Sequence, residues 1–329
     1  MATYKELEGF GVQTLATDPD NTSWVGSIFY NSTEGVFKTV KPGGIAVATW
    51  ASAAGITTQR SFTGASGVQT AAIYMGGPEP TYGVLTEIYN GTSWTEVGDT
   101  NTGRVYGFPS GFGTITATVV AGGENAGGNT TNTESWNGTS WTEVNDLNVG
   151  KYAGAGMGTS IASLAAGGFN PGGYTTSNES WNGTSWTEVG DLNTAKYINT
   201  GIGLQTAALS VGGQSTPSPT LAQVESWNGT SWTETTDINT ARFSMGGAGI
   251  QTSALVYGGN PGNYNITEFW NGTAWTELNN LATGRVALDP GKGGSASAGI
   301  VFGGATPTLS NATEEWTAPD VVINTLTTS

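Results

Sequence analysis

The chain has no cysteine and no histidine among its 329 residues, and only 10 residues are lysine or arginine. Without cysteine there is no disulfide framework and no thiolate to bind a metal or attack a substrate. Without histidine the commonest general base and metal ligand is missing. The 25 acidic residues outnumber the cations and give a formal net charge of −15 and a pI near 4.2. That balance excludes a nucleic-acid partner, which requires clustered cations to meet its phosphates. No run of 18 apolar residues occurs, so no membrane-inserting helix is expected. The opening MATYKELEGFGVQ lacks the apolar core of a secretory signal, so no export by that route is expected.

What the chain has is glycine, 52 residues of it, and repetition. Gly-Gly pairs begin at Gly76, Gly122, Gly167, Gly212, Gly258 and Gly303, at steps of 45 or 46 residues. A cation recurs at Arg60, Arg104, Lys151, Lys196, Arg242 and Arg285. A Glu-x-aromatic unit ends at Tyr89, Trp136, Trp181, Trp227, Trp270 and Trp316. A second tryptophan recurs at Trp50, Trp94, Trp141, Trp186, Trp232 and Trp275. Eleven of the 12 tryptophans and six of the 10 cations thus hold repeat positions, which leaves few singular residues from which to build a catalytic centre.

Each unit reads as four short strands: a small-residue strand such as YAGAGMG, an apolar strand running into Gly-Gly, a strand ending at Glu-x-Trp, and SWTEV. WNGTSW joins the last two. Asn-Gly between strands is the strongest short signal for a two-residue type I′ hairpin, and the flanking aromatics can then pair across it. Asn-Gly-Thr is also a glycosylation acceptor, which matters only on a eukaryotic secretory route. A period near 45 with four strands per unit predicts an all-β fold of propeller blades.

The order cation, apolar strand, Gly-Gly, aromatic and tryptophan resembles the kelch repeat over about residues 45–317. The resemblance implies a β-propeller, in a family that ranges from galactose oxidase-like enzymes to binding scaffolds. Six units predict six blades, the alternative being a seventh built from the N-terminal hairpin, which lacks the Gly-Gly and tryptophan marks. Trp50 has no aromatic partner before it and Trp316 has no tryptophan after it, so the segment 46–52 is expected to pair beside the Trp316 strand and complete the sixth blade. Residues 1–44 form an arm with a hairpin over 26–40, and 318–329 form a tail. The arm GVQTLATDPDN…GSIFYNSTEGVFK resembles short N-terminal segments of tail-fibre-like and other virion proteins of marine bacteriophages, and ATEEWTAP…VVINTLTTS resembles the ends of kelch-like proteins in such phages.

The repeat positions Trp94, Trp141, Trp186, Trp232, Trp275, Arg104 and Arg242 read as structural, with recurring glutamates and cations paired between neighbouring blades or strands. Asp99, Asp146, Asp191 and Asp237 open Asp-x-Asn loops that read as Asx turns, with calcium ligation as the alternative. The copper site of galactose oxidase-like relatives uses histidine and a cysteine-linked tyrosine, and both residue types are absent. The sialidase box Ser-x-Asp-x-Gly-x-Thr-Trp is absent too. Among the carboxylates of residues 45–317 only Glu79, Glu124, Glu315 and Asp289 stand outside the repeat. No catalytic residue, metal or cofactor is therefore assigned.

The loops after Gly-Gly differ in every unit and carry Tyr82, Phe169, Tyr174 and Tyr264, the candidate ligand-recognition residues. The resulting expectation is a non-enzymatic phage virion protein, in a tail appendage or on the capsid. Residues 1–44 would attach it to other virion proteins, and the varied loops would face a host-surface glycan or receptor. A cellular carbohydrate-binding propeller and a glycan-cleaving enzyme are the alternatives.

Overall fold

The structure is a computed structural model. It describes residues 12–77, 83–109, 114–216, 220–262, 264–286, 289–290, 296–306, 308–319 and 321–326. The chain divides into two compact units, residues 49–317 and a terminal unit of 1–48 with 318–329.

Residues 49–317 hold six four-stranded antiparallel sheets, one per sequence unit. Sheet 3 is representative, with strands Ala155–Thr159, Ala162–Ala166, Asn178–Trp181 and Trp186–Glu188 in that order. Sheets 1, 2, 4 and 5 lie within 64–96, 108–144, 200–235 and 246–278. Sheet 6 takes three strands from 289–317 and its outermost strand, Thr49–Ala53, from the other end of the unit. Trp50 lies opposite Trp316 in that pairing, as the unmatched aromatics anticipate.

The first strands are built from small residues because neighbouring sheets meet there. A Cβ on Gly201 would stand 2.8 Å from the Gly156 carbonyl oxygen and 2.9 Å from the Ala155 Cβ, one sheet away. First strands of successive sheets touch in chain order, and the first strand of sheet 6 touches that of sheet 1. A backbone bond repeats with the same order. The N–H of the second glycine of each Gly-Gly pair donates to the carbonyl of the next unit's cation: Gly77 to Arg104, Gly123 to Lys151, Gly168 to Lys196, Gly213 to Arg242 and Gly259 to Arg285. Gly304 of sheet 6 donates to Arg60 of sheet 1.

The apolar core lies between sheets rather than within one. Phe108, Val119 and Ala121 of sheet 2 pack with Ala165, Trp181 and Trp186 of sheet 3. Ile300 and Phe302 of sheet 6 pack with Ala65, Tyr74 and Trp94 of sheet 1. The two aromatics of each hexapeptide face each other, with ring centroids 5.5 Å apart for Trp136–Trp141 and 5.2 Å for Trp227–Trp232.

The turn between them is not the expected two-residue type I′. Trp136 pairs directly with Trp141, so the loop has four residues, Asn137 to Ser140. Only the glycine takes positive φ, 94° at Gly138. The Asn137 side-chain oxygen accepts the N–H groups of Thr139 and Ser140, each at 2.9 Å. Asparagine is used here as an Asx acceptor rather than for a left-handed backbone.

Four of the six recurring second tryptophans also reach the sheet before them, while Trp275 Nε1 donates to the Thr236 carbonyl instead. Trp141 Nε1 donates to Thr86, Trp186 to Thr133, Trp94 to Thr313 and Trp50 to Thr267, always the first residue of the third strand or its equivalent. In sheet 3 that residue is Asn178, and both Trp232 Nε1 and Asn178 Oδ1 are buried without a partner. Asn178→Thr should restore the bond made elsewhere. The expected gain is about 1 kcal/mol, since an unmade buried hydrogen bond costs that much or more, or about 2–4 °C in melting temperature. A variant that melts no higher than the wild type would refute this account of the position.

In the terminal unit, Ile28–Asn31 and Val36–Pro42 form the expected hairpin. The tail is not separate from it. Val321–Thr325 pairs antiparallel with Val36–Pro42, and Gln13–Leu15 adds on the other edge in parallel. Long-range pairing of the chain ends has no local sequence signal, which is why arm and tail read as two pieces. Lys38, 5% exposed, bonds the carboxylates of Asp18 and Glu34.

Candidate functional site

The register gives each sheet two ends. In sheet 3, the tip at Ser160–Ile161 and the WNGTSW turn share one end. The loop after Gly167–Gly168 and the connection from the fourth strand to the next sheet share the other.

At the loop end the recurring charges are consumed in structure. Arg60, Arg104, Lys151, Lys196, Arg242 and Arg285 are buried in ion pairs with Glu87, Glu134, Glu179, Glu225, Glu268 and Glu314. Each pair joins the segment entering a sheet to that sheet's third strand. The Asp-x-Asn motif completes the arrangement. The Asp146 carboxylate accepts the Thr133 N–H of the preceding sheet at 3.1 Å. Two residues on, the backbone and side-chain nitrogens of Asn148 donate to Glu179 of the following sheet at 2.7 and 2.9 Å. Asp99, Asp191 and Asp237 repeat the first contact, and Asn101, Asn193 and Asn239 the second. Connections therefore bracket successive sheets. Among the described residues no three carboxylates or other metal-binding groups cluster, and these aspartates act as backbone acceptors.

Arginine and lysine fill the cation position differently. Arg104 donates to the carbonyls of Gly122 and Asn132 as well as to Glu134. Lys151 Nζ reaches the Ala165 and Ser177 carbonyls but stands 3.5 Å from Glu179. Burial lowers the Lys151 ammonium to about 8, against the pull of Glu179.

Of the carboxylates outside the repeat, Glu315 accepts the Tyr89 phenol at 2.8 Å. Burial, with that carboxylate second, pushes the phenol up to about 12. Glu79 and the Asp289 side chain lie outside the described residues.

The loop end also carries a cluster of six half-buried aromatic rings. Phe62 contacts Tyr106 at 4.7 Å, and Tyr106 contacts Tyr152 at 5.8 Å. Tyr152 contacts Phe169 at 5.5 Å and Tyr197 at 5.9 Å. Tyr174 packs edge-on against Phe169 and stacks on Tyr197, with the two planes 10° apart. The rings come from units one to four. Phe169 and Tyr174 are opposite residues of a two-stranded hairpin, Phe169–Asn170 with Gly173–Tyr174, and Phe169 bridges Tyr152.

The backbone beneath the rings is fixed. Phe62, Tyr106, Ala153, Ile198 and Ser244, each two residues past a cation, take positive φ of 52–56°. The N–H groups of Tyr106, Ala153, Ile198 and Ser244 each donate to the carbonyl of the counterpart one unit earlier, from Tyr106 to Phe62 through Ser244 to Ile198. Left-handed backbone costs a residue with a Cβ about 1–2 kcal/mol, so these positions are held by their surroundings. Burial raises the Tyr152 and Tyr197 phenols, with the neighbouring phenols adding to the rise at Tyr197. Both stay neutral hydroxyls near neutral pH.

Of the four residues read from the sequence, Phe169 and Tyr174 are brought together here. Tyr264 stands in the loop of sheet 5 and does not join the cluster, and Tyr82 lies outside the described residues. Phe62, Tyr106, Tyr152 and Tyr197 went unread because they stand one or two residues after the repeat cation. An aromatic residue within two positions of that cation in five of the six units was the available signal.

The chain matches no protein-family model. No curated protein sequence matches it either.

Proposed function

We propose that this is a non-enzymatic recognition protein of a bacteriophage particle, with a closed six-bladed kelch-type propeller carried on a terminal attachment unit. The observation that carries the recognition reading is the six-ring cluster at the variable-loop end, set on a backbone hydrogen-bonded from unit to unit. Rigidly held tyrosines offer contact area at low entropic cost. Ring closure is supported by the Gly304–Arg60 bond, the Trp94–Thr313 bond and the shared core of sheets 1 and 6. A non-catalytic role is supported by the engagement of the recurring glutamates and their cations in buried pairs. The virion assignment rests on the resemblance of the termini to phage proteins. Attachment through the terminal sheet is supported by Ile28, Phe37 and Leu326, which the register sets on one face and which are 37%, 45% and 46% exposed.

The test is mass spectrometry of purified particles from cells making either the full chain or one lacking both 1–44 and 318–329. The full chain should copurify with particles, and the shortened chain should fold and stay in the unbound fraction. Copurification of the shortened chain would refute attachment by this unit. Absence of the full chain from particles would refute the virion assignment.

A further inference from the structure

We propose that the cluster of Phe62, Tyr106, Tyr152, Phe169, Tyr174 and Tyr197 binds an uncharged saccharide and rejects phosphorylated, sulfated or carboxylated glycans. The inference rests on the reading of the propeller as a recognition module, and adds the ligand's chemistry and the residues that hold it.

Two observations carry it. The first is the makeup of the cluster. Four of its six rings are half-buried tyrosines, whose phenols are hydrogen-bond donors and acceptors. A sugar ring presents an apolar face of C–H groups edged by hydroxyls. An aromatic surface edged by phenols complements both features. The Asn170 side chain caps its own hairpin through the Gly172 N–H at 2.8 Å, so the Phe169–Tyr174 pair is set before a ligand arrives.

The second observation is charge. All six described cations of residues 49–317 are buried in ion pairs with glutamates. The described surface of this unit therefore offers acidic side chains and no cation. Glu96, Asp99, Glu143, Asp146, Glu188, Asp191, Glu234, Asp237 and Glu277 are exposed. Glu124 lies close enough to the cluster to raise the Tyr152 phenol. An anionic polymer approaching this face meets repulsion with no guanidinium or ammonium to offset it.

The experiment measures binding of the full chain to immobilised dextran, mannan and galactan, and to dextran sulfate, phosphomannan and polygalacturonate as charged counterparts. The wild type should bind at least one neutral polymer, and its charged counterpart at least tenfold more weakly. Tyr174→Ala and Tyr152→Ala should each weaken the neutral interaction tenfold or more, as anchor aromatics do. Ile161→Ser, at the opposite end of sheet 3 and 70% exposed, should leave it unchanged. Thermal unfolding of each variant is followed in parallel. If Tyr152→Ala melts early, Tyr174→Ala and Tyr174→Phe on the loop hairpin decide the matter.

Failure of the wild type to bind any of the neutral polymers overturns the proposal. So does preference for a charged counterpart, or binding that folded Tyr174→Ala retains in full. Particle incorporation is scored separately. A protein that joins particles but binds no neutral glycan sinks this inference and leaves the virion reading standing.

Discussion

Replacing Glu134 with alanine should destabilise the protein by about 3–5 kcal/mol, the usual cost of removing one partner from a buried ion pair. Glu134 is fully buried and bonds Arg104, the Asn101 backbone and side-chain nitrogens, and the Thr102 N–H. Alanine leaves a guanidinium and several N–H groups without an acceptor in a space closed to water. For a unit of this size the melting temperature should fall on the order of 10 °C. The double variant Arg104→Met with Glu134→Leu removes both charges and fills the space. It should recover about half the loss, because apolar replacement of a buried pair is often neutral while orphaning one charge is not. The N–H groups of Asn101 and Thr102 stay unpaired in the double variant, which limits the recovery. Thermal melts of the two variants check this. A single variant that melts within 2 °C or so of the wild type would mean that Glu134 is dispensable to the fold.

Beginning the chain at residue 54 rather than residue 45 should cost about 5 kcal/mol or more, as expected when a core tryptophan and its strand are lost together. The shorter chain lacks Thr49–Ala53, the outermost strand of sheet 6. Trp316, fully buried, loses Trp50 across the ladder, and the Thr267 hydroxyl loses its indole donor. The exposed edge then becomes a template for strand pairing between molecules. The chain begun at 45 keeps that strand and should melt as residues 49–317 of the intact protein do. Calorimetry and size-exclusion chromatography of the two chains should show one cooperative monomer and one aggregating or early-melting species. Equal melting of both would show that the seam contributes little.

Much of this architecture was legible because six copies of one pattern average out local noise. The Gly-Gly spacing marked the second strands, and the unmatched Trp50 and Trp316 identified partners at opposite ends of the unit. What escaped reading has physical causes. Asn-Gly suits a type I′ turn, but Thr and Ser after it supply two N–H groups that the Asn137 side chain accepts, and the four-residue loop follows. The Asp-x-Asn loops matched a calcium pattern because their acceptors and donors face two different sheets, a split that spacing along the chain does not reveal. Tyr152 and Tyr197 sat in segments whose role as connections masked them, and the cluster they form depends on neighbouring units coming together. The vacant hydrogen bond of Trp232 is a mismatch between two units, visible only once the receiving residue is known to be Asn178.

The bracketing connections carry a consequence for how such a gene can change length. Four connections close the third strand of the sheet behind with an aspartate and supply the buried glutamate ahead with asparagine and a cation, and the connection into sheet 6 does the same with Asn280, the Ala282 N–H and Arg285. A duplication or loss of one whole 45-residue period, cut at any point, still leaves every glutamate facing a cation. An in-frame deletion ending inside DLNTAK instead strands a carboxylate among apolar side chains, a defect that selection removes at once. Recombination between the near-identical WNGTSW segments gains or drops whole periods by default. The repeat thus tolerates the kind of genetic slippage that its own sequence similarity promotes.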